Sequence, residues 1–278
     1  MPTYNGNAFE ILSQVRYGIN EYSDNLAKGT DTSGAFQNTE LMRHINNAQY
    51  LLWSILFKQF PEYFLKSASL AFTSSVATLP ADNFKIREVS DSDGYPINPI
   101  NMGQRHINSG YGSEHTYYRY GNTLRIDADD VTDTGTLWYY SRCRELDTGA
   151  ASATTTLATT AKAIADYYNS MIIENWTDST VGTISAYLAT RAFTITGTTL
   201  ASGEYYGIVS DLPEIFQPLI SEYAILQLKK SPKVPLQVSP ADIKLFDEML
   251  KSAMQSFAGT SDGDMDASEL FNDFEPIV

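Results

Sequence analysis

The chain has 278 residues, enough for one large domain or two smaller ones with a buried core. Its 33 acidic and 19 basic side chains give a net charge of −14, which argues against a general nucleic-acid binder, because affinity for phosphates comes mainly from clustered basic side chains. The single cysteine, Cys143, excludes an intrachain disulfide framework and a cysteine-based zinc cluster.

The amino-terminal sequence MPTYNGNAFE has neither the basic nor the apolar region of a secretion signal. No apolar run approaches the roughly 18 residues that are needed to span a bilayer. These two observations predict a soluble protein that is made in a reducing cytoplasm and has no membrane partner.

Two amphipathic helices are predicted near the amino terminus. From Ala8 to Lys28, apolar residues recur at alternating steps of three and four. A longer helix from Thr39 to Phe60 carries two apolar stripes, and Trp53 and Phe57 belong to the second stripe. A helix that is apolar on two sides needs cover on two sides, either in the centre of a bundle or from a neighbouring subunit. Trp53 and Phe57 are therefore candidate partner-binding residues.

The hydrophobic pattern changes to period two between Ser69 and Leu146, where turn signals such as Leu79-Pro80 separate short runs. This alternation is typical of half-buried strands. The predicted strands are Ser69–Val76, Lys85–Val89, Tyr117–Tyr120, Thr123–Asp127 and Thr136–Arg142.

A second β-type stretch begins after an abrupt change of composition at Asp147. Small residues and threonines follow this position, and short alternating runs with glycine and Asp-Ser turns continue to Asp211. This pattern predicts an inserted β module. Helices follow it, from Leu212 to Lys230 and again after the capping residue Ser239.

Together these elements predict an α+β fold with a helical bundle core, a β-sheet region and an inserted small β-barrel or sandwich-like module. The core is predicted to be discontinuous, because the module interrupts it. The predicted divisions are a helical and β core at residues 1–148 and 211–258, the inserted module at 149–210 and an acidic C-terminal docking arm at 259–278.

The C-terminal tail is acidic and too short to bury its own apolar groups, so alone it is predicted to be disordered. Leu270, Phe274 and Ile277 nevertheless share helical spacing, as in a peptide that folds into a partner's groove. A solvated tail fits the composition equally well. The candidate partner-binding residues in this tail are Leu270, Phe271, Phe274 and Ile277.

Catalytic signatures are sparse. The three histidines, His44, His106 and His115, form no metal-binding pattern, and the chain contains no GxSxG elbow, P-loop or GxGxxG motif. Paired carboxylates such as Asp129 and Asp130 would suit a glycosidase, but any acidic turn supplies them. We therefore expect no enzyme, no catalytic residue, no metal site and no cofactor, and a carbohydrate-active enzyme is the least favoured hypothesis.

Tyrosine is abundant, with 18 residues, and several stand in pairs such as Tyr117-Tyr118 and Tyr139-Tyr140. Tyrosine combines apolar area with a polar tip and is enriched where proteins meet one another. Strand-rich modules also use tyrosine for packing. The balance favours binding over catalysis.

Five segments, taken in order, resemble the head-to-tail adaptor (connector, neck) proteins of tailed bacteriophages. They span about residues 43 to 228, and their order and spacing carry the resemblance. The stretch ADYYNSMIIENWTDSTVGTISAY also resembles a small β module found as an insertion in some phage structural proteins, although the smaller adaptors are mainly helical. The five segments are HINNAQYLLW, LPADNFKIREV, YYRYGNTLRI, LWYYSRCREL and LPEIFQPLISEYAILQL.

This resemblance implies a homo-oligomeric ring, commonly dodecameric, that lies between the portal protein at the capsid vertex and the tail or nozzle protein. DNA would pass through the ring without specific binding. The expected location is the neck of the virion, and the host cytoplasm during assembly. The C-terminal arm would dock on the portal or on an adjacent subunit. The alternative is a tail or nozzle component whose β module contacts other tail proteins or the host surface.

Overall fold

The computed structural model of the chain describes residues 6–30, 33–104, 116–127, 131–234 and 237–260. Five α-helices occur in this described part. They are α1 (Ala8–Gly18), α2 (Asp24–Lys28), α3 (Asn38–Gln59), α4 (Gln217–Lys229) and α5 (Pro240–Thr260). A short 3-10 helix, Glu214–Phe216, leads directly into α4.

Twelve strands accompany these helices within the described residues. The first seven are β1 (Leu65–Phe72), β2 (Val76–Thr78), β3 (Asn83–Ser90), β4 (Asn98–Pro99), β5 (Thr116–Tyr120), β6 (Thr123–Ile126) and β7 (Asp133–Ser141). The other five are β8 (Thr148–Ala150), β9 (Ile172–Asn175), β10 (Thr180–Tyr187), β11 (Phe193–Thr196) and β12 (Tyr205–Ile208). The described chain forms two compact units, Phe60–Arg142 and the combination of Met1–Gln59 with Cys143–Val278.

The unit Phe60–Arg142 contains two sheets. One has the order β1-β7-β3 and the other the order β2-β6-β5-β4. Strand β7 pairs antiparallel with both neighbours, so that Leu137 faces Ala68 on one side and Val89 on the other. Both sheets turn apolar side chains towards one core, as the period-two pattern of the sequence predicts. The buried members of this core are Leu70, Phe72, Ala77, Leu79, Val89, Ile97, Tyr117, Leu124, Ile126, Leu137 and Tyr139.

The other unit combines helices with the third sheet, whose order is β11-β10-β9-β12-β8. Helices α1, α3 and α4 pack on one another, α5 packs on α4, and α1 also packs on β12 and β8. At the start of α1, Phe9 lies against the ring of Trp176 with a centroid distance of 4.6 Å. The capping residue Asn7 donates its side-chain amide to the buried carboxylate of Glu174 at 2.7 Å.

The predictions of a helical bundle core and of an inserted barrel or sandwich-like module are wrong. The mixture of helices and sheets is nevertheless compatible with the α+β class. Periodicity identifies an apolar helix face without identifying its cover, and here α1 covers a sheet as well as other helices. The strands between Thr148 and Ile208 form a single sheet whose order ends at β11 and β8. Two sheets share one core only in the unit Phe60–Arg142, among the parts that the structure describes.

The remaining predicted divisions have different outcomes. Residues 149–210 belong to the same compact unit as the amino-terminal helices, and their assignment as a separate module stays a prediction. The predicted docking arm, residues 259–278, lies outside the described residues except for Gly259 and Thr260, which belong to α5. The first predicted helix is two helices, because the chain turns between α1 and α2 with Asn20 at a φ of 63°.

Candidate functional site

The predicted partner-binding residues Trp53 and Phe57 lie one turn apart on α3, and their rings stack with a centroid distance of 5.3 Å. The ring of Tyr50 extends this row at 5.2 Å from Trp53. Trp53 is only 2% exposed and Phe57 is half-buried, whereas Tyr50 is 48% exposed. Tyr50 is therefore the accessible end of the row, and partner binding by Trp53 and Phe57 stays a prediction.

Most of the other residues that the sequence analysis singled out lie outside the described part of the chain. His44 is an exception: it is half-buried on α3, and burial, followed by the nearby Arg43 charge, lowers its pKa. Among the described residues, no group of three or more His, Cys, Asp or Glu side chains is placed to hold a metal ion. The predicted residues outside the described part are His106, His115, Asp129, Asp130, Leu270, Phe271, Phe274 and Ile277.

Polar side chains of α3 form hydrogen bonds with the backbone of the segment that follows β7 in the chain. The amide group of Asn46 donates to the carbonyl of Leu146 at 3.1 Å and accepts from the Leu146 N–H at 2.7 Å. One turn further along, Gln49 donates to the carbonyl of Arg144 at 2.7 Å and accepts from the hydroxyl of Ser210 at 2.6 Å. These bonds satisfy the buried polar groups of an extended segment that lies beside a helix.

Arg144 joins the two ends of the β-rich stretch. Its guanidinium makes two bonds of 2.9 Å to the carboxylate oxygens of Asp211, and its third nitrogen donates to the carbonyls of Tyr167 and Asn169. A planar guanidinium with two parallel bonds to a carboxylate is among the stronger polar contacts in proteins. The segments around residues 144, 168 and 211 are thereby held together beneath α3.

A pocket of about 430 Å³ opens between α3 and these segments. Its volume falls within the range of small-molecule sites. The ion pair between Lys162 and Glu145, with an N···O distance of 2.8 Å, lies in one wall. The residues that line the pocket include Thr39, Arg43, Asn47 and Tyr50 of α3, and Glu145, Asp147, Lys162 and Tyr168 opposite.

Asp147 is the buried carboxyl group of this pocket. Burial raises the pKa of Asp147 to about 6, although hydrogen bonds from Tyr206, Thr160 and the Thr148 backbone lower it, as does the charge of Arg191. The hydroxyl of Tyr206 donates to its Oδ2. The pKa of Tyr206 is in turn raised well above its usual value by burial and by the Asp147 charge. Asp147 therefore changes its charge near neutral pH within a packed polar cluster.

This cluster was not predicted from the sequence, where Asp147 marked only the boundary at which the composition changes. Tyr206 lies 59 residues further along the chain, and no local pattern connects the two positions. A single acidic residue at a change of composition is the only signal that the sequence offers, and acidic turns are common. The described lining residues supply hydrogen-bond donors and acceptors, and include neither cysteine nor histidine.

Exposed aromatic side chains mark the surface of the unit Phe60–Arg142. Trp138 lies in the central strand β7, opposite Ser67 of β1 and Glu88 of β3, and is 42% exposed. Small and polar neighbours leave the indole accessible. The other exposed aromatic residues of this unit are Tyr63, Phe84, Tyr95 and Tyr120. Aromatic residues are enriched at protein interfaces, so this surface is suited to contact with another protein.

A scan against protein-family models gives no match, and a search of curated proteins gives none. Among the residues that the structure describes, no helix is both long and apolar enough to cross a membrane.

Proposed function

We propose that the chain is a structural virion protein that forms a ring-shaped adaptor between the portal at the capsid vertex and the tail of a bacteriophage, leaving a passage for DNA. Its partners are further copies of itself, commonly twelve in such rings, the portal protein and a tail or nozzle protein. The observation that carries the proposal is the resemblance of five ordered segments to head-to-tail adaptors.

The positions of these five segments support the proposal. The first lies in α3 and the last runs into α4, and these two helices pack on each other. The middle three contain most of β3, most of the hairpin of β5 and β6, and the second half of β7, which supply much of the core of the unit Phe60–Arg142. The resemblance therefore falls on residues that determine packing, where a shared architecture leaves its strongest imprint.

The exposed aromatic residues also support an assembly role. In a ring, each subunit uses two different surfaces, one for each neighbour. Trp138 is exposed on the unit Phe60–Arg142, and Tyr17 and Tyr22 are exposed on the other unit, where their rings lie 6.5 Å apart. Exposed aromatic residues on each of the two units fit a subunit that contacts two different neighbours.

The net charge of −14 has a physical use in such a ring. DNA passes without adhering if the wall of the passage is acidic, because acidic side chains disfavour contacts with phosphates. We expect the structure of the assembled ring to place acidic side chains on the wall of the passage. A neutral or basic wall, with the acidic side chains facing outward, would contradict this expectation.

The experiment that tests the adaptor function measures the mass of the purified chain with and without a portal ring from the same source. We expect a portal-bound ring of the chain, detected by native mass spectrometry or mass photometry. Deletion should begin after Thr260, since α5 continues to that residue. Loss of ring assembly on deletion of residues 261–278 would support the docking arm.

A second variant keeps the length and the charge of the tail and changes only its apolar residues, and a control variant keeps the apolar residues and changes only the charge. Replacement of the apolar tail residues Leu270, Phe271, Phe274 and Ile277 by serine should abolish assembly as the deletion does, if they bind a partner. Replacement of Asp262, Asp264 and Asp266 by asparagine should leave assembly in place. A stable free trimer that does not bind the portal would overturn the adaptor proposal and favour a tail or host-contact protein.

A further inference from the structure

A second concave surface lies between α5 and the start of α4. Its volume is about 440 Å³. Ile215 and Pro218 form one side, and α5 forms the other with Met249 and with three small residues at steps of one and three. Those small residues are Ser252, Ala253 and Ser256. We call this surface the α4–α5 groove.

The chemistry of the groove favours an apolar occupant. Ile215 is 41% exposed although it is aliphatic, and Pro218 and Met249 add further apolar surface. Small residues along one side of a helix allow another helix to approach closely, at interaxial distances of about 8–10 Å. Covering such a surface removes apolar area from water, which stabilises the covered state by about 25 cal/mol per Å².

The chain itself carries a matching segment near the groove. Helix α5 ends at Thr260, one turn beyond Ser256, and residues 261–278 follow it. In this tail, Leu270, Phe274 and Ile277 have the spacing of one helix face. From these observations we propose that residues 270–277 of the same chain dock in the α4–α5 groove antiparallel to α5, as a short helix that ends before Pro276 with Ile277 just beyond it.

The lengths agree with this arrangement. The groove residues of α5 run from Glu248 to Ser256, which is about 12 Å at about 1.5 Å per residue. The segment from Leu270 to Ile277 covers at least a similar length, about 11 Å, which is the rise of the same number of helical residues. The connecting residues 261–269 reach at most about 30 Å when extended, more than the about 6 Å along α5 from Thr260 back to Ser256, beside which an antiparallel segment begins.

The connection also explains why the occupant is the chain's own tail. A short flexible linker holds its end at an effective concentration on the order of millimolar near the groove. The tail of a second copy is present only at the concentration of the protein. Four of the six acidic residues of the tail, Asp262, Asp264, Asp266 and Glu269, fall in the connection and not in the segment that docks.

The groove proposal is independent of the adaptor function, since it concerns the free chain. It has a consequence for that function, because a portal that captures the tail must first displace it from the groove. The test of the groove proposal contains no portal. Its failure would therefore leave the adaptor proposal in place, and failure of the adaptor proposal would leave the groove proposal in place.

Hydrogen exchange of the full-length chain, followed by mass spectrometry, tests the proposal. We expect the amides of residues 272–275 and of Ile277 to exchange at least about tenfold more slowly than in a free peptide of residues 261–278, with Pro276 giving no signal because it has no amide hydrogen. Ser252→Glu places a charge in the groove from an exposed position and should remove this slowing. Gln255→Glu adds the same charge on α5 outside the groove and should leave it unchanged.

Two further measurements keep the test decisive. The exchange of α3 and of the sheet β11-β10-β9-β12-β8 must be unchanged in Ser252→Glu, which shows that the variant is folded. Phe274→Asp, on the tail side, should have the same effect as Ser252→Glu. Exchange as fast as in the free peptide would overturn the proposal. Slowing that disappears when the protein is diluted about fiftyfold would also overturn it, since the occupant would then be a second copy.

Discussion

Asp147 shows how a single buried carboxyl group affects the stability of its unit. In the unfolded chain an aspartate loses its proton near pH 4, whereas burial raises the pKa of Asp147 in the folded chain to about 6. Between these values the folded state binds more protons than the unfolded state. The free energy of unfolding therefore falls as the pH rises through this window, and the stabilisation present below pH 4 is lost above pH 6.

We expect the Asp147→Asn variant to lack this dependence. Its amide still accepts from Tyr206 but has no charge to bury. Between pH 4.5 and pH 7, the wild-type free energy of unfolding should fall relative to that of the variant by at most about 3 kcal/mol. Urea unfolding at a series of pH values measures this difference.

The control for this series is Asp178→Asn, which removes one acidic group from an exposed position. It removes the same charge as Asp147→Asn, so an effect of the overall charge would appear equally in both variants, whereas the effect of burying the Asp147 carboxyl group would appear in Asp147→Asn alone. A constant difference in unfolding free energy between the wild type and Asp147→Asn would contradict the assigned environment of Asp147.

At the scale of elements, the contact between α1 and β12 depends on a glycine. A Cβ atom at Gly207 of β12 would overlap Oδ1 of Asn7, the residue that caps α1 and binds the buried Glu174. Any side chain at this position therefore pushes the helix start away from the sheet. The cap bond of 2.8 Å that the Phe9 N–H donates to Oδ1 of Asn7 would be strained at the same time.

We expect Gly207→Ala to lower the free energy of unfolding by about 2–4 kcal/mol, because overpacking and a disturbed buried hydrogen bond act together. Calorimetric unfolding measures this loss. Gly103→Ala is the matched control, since a Cβ there would meet no atom within 4 Å. Equal stability of Gly207→Ala and the wild type would show that Asn7 is not held where the structure places it.

Elements with strong local signals were predicted from the sequence within a few residues. Helix α3 and strands β3, β5, β6 and β7 lie close to their predicted bounds, because periodicity and turn residues act over short distances. The segment that covers each apolar face could not be predicted from such local signals. Asn7 and Glu174 are 167 positions apart, and neither residue signals its partner.

The candidate site was less predictable than the fold for a similar reason. Trp53 looked available for a partner because a second stripe on α3 has no local cover, yet it is buried within the chain. The pocket beside Asp147 is built from three distant stretches of sequence that meet only after folding. Sequence patterns indicate which faces are buried, but the identity of the covering segment depends on the whole topology.

At the scale of the whole molecule, the unit Phe60–Arg142 has a core of its own. We expect a fragment of residues 60–142 to fold independently, since both of its sheets contribute to that core. Circular dichroism during urea unfolding should show one cooperative transition. Leu137→Ala, which truncates a fully buried side chain, should reduce the stability of the fragment by about 2–5 kcal/mol. A gradual, uncooperative change in the fragment would contradict its independence.

The pairing of β1 with β7 determines how this unit responds to force. Leu65 faces Tyr140, so the chain enters and leaves the unit at the same end of one antiparallel ladder. Force applied between the two connections separates β1 from β7, beginning at the end where the chain enters and leaves the unit. The hydrogen bonds then break one after another, because they lie perpendicular to the strands. A pull along the strands would load all of these bonds at once. The unit is therefore mechanically weak when it is pulled by its own connections, and tension applied there would peel β1 away from β7, starting at Leu65.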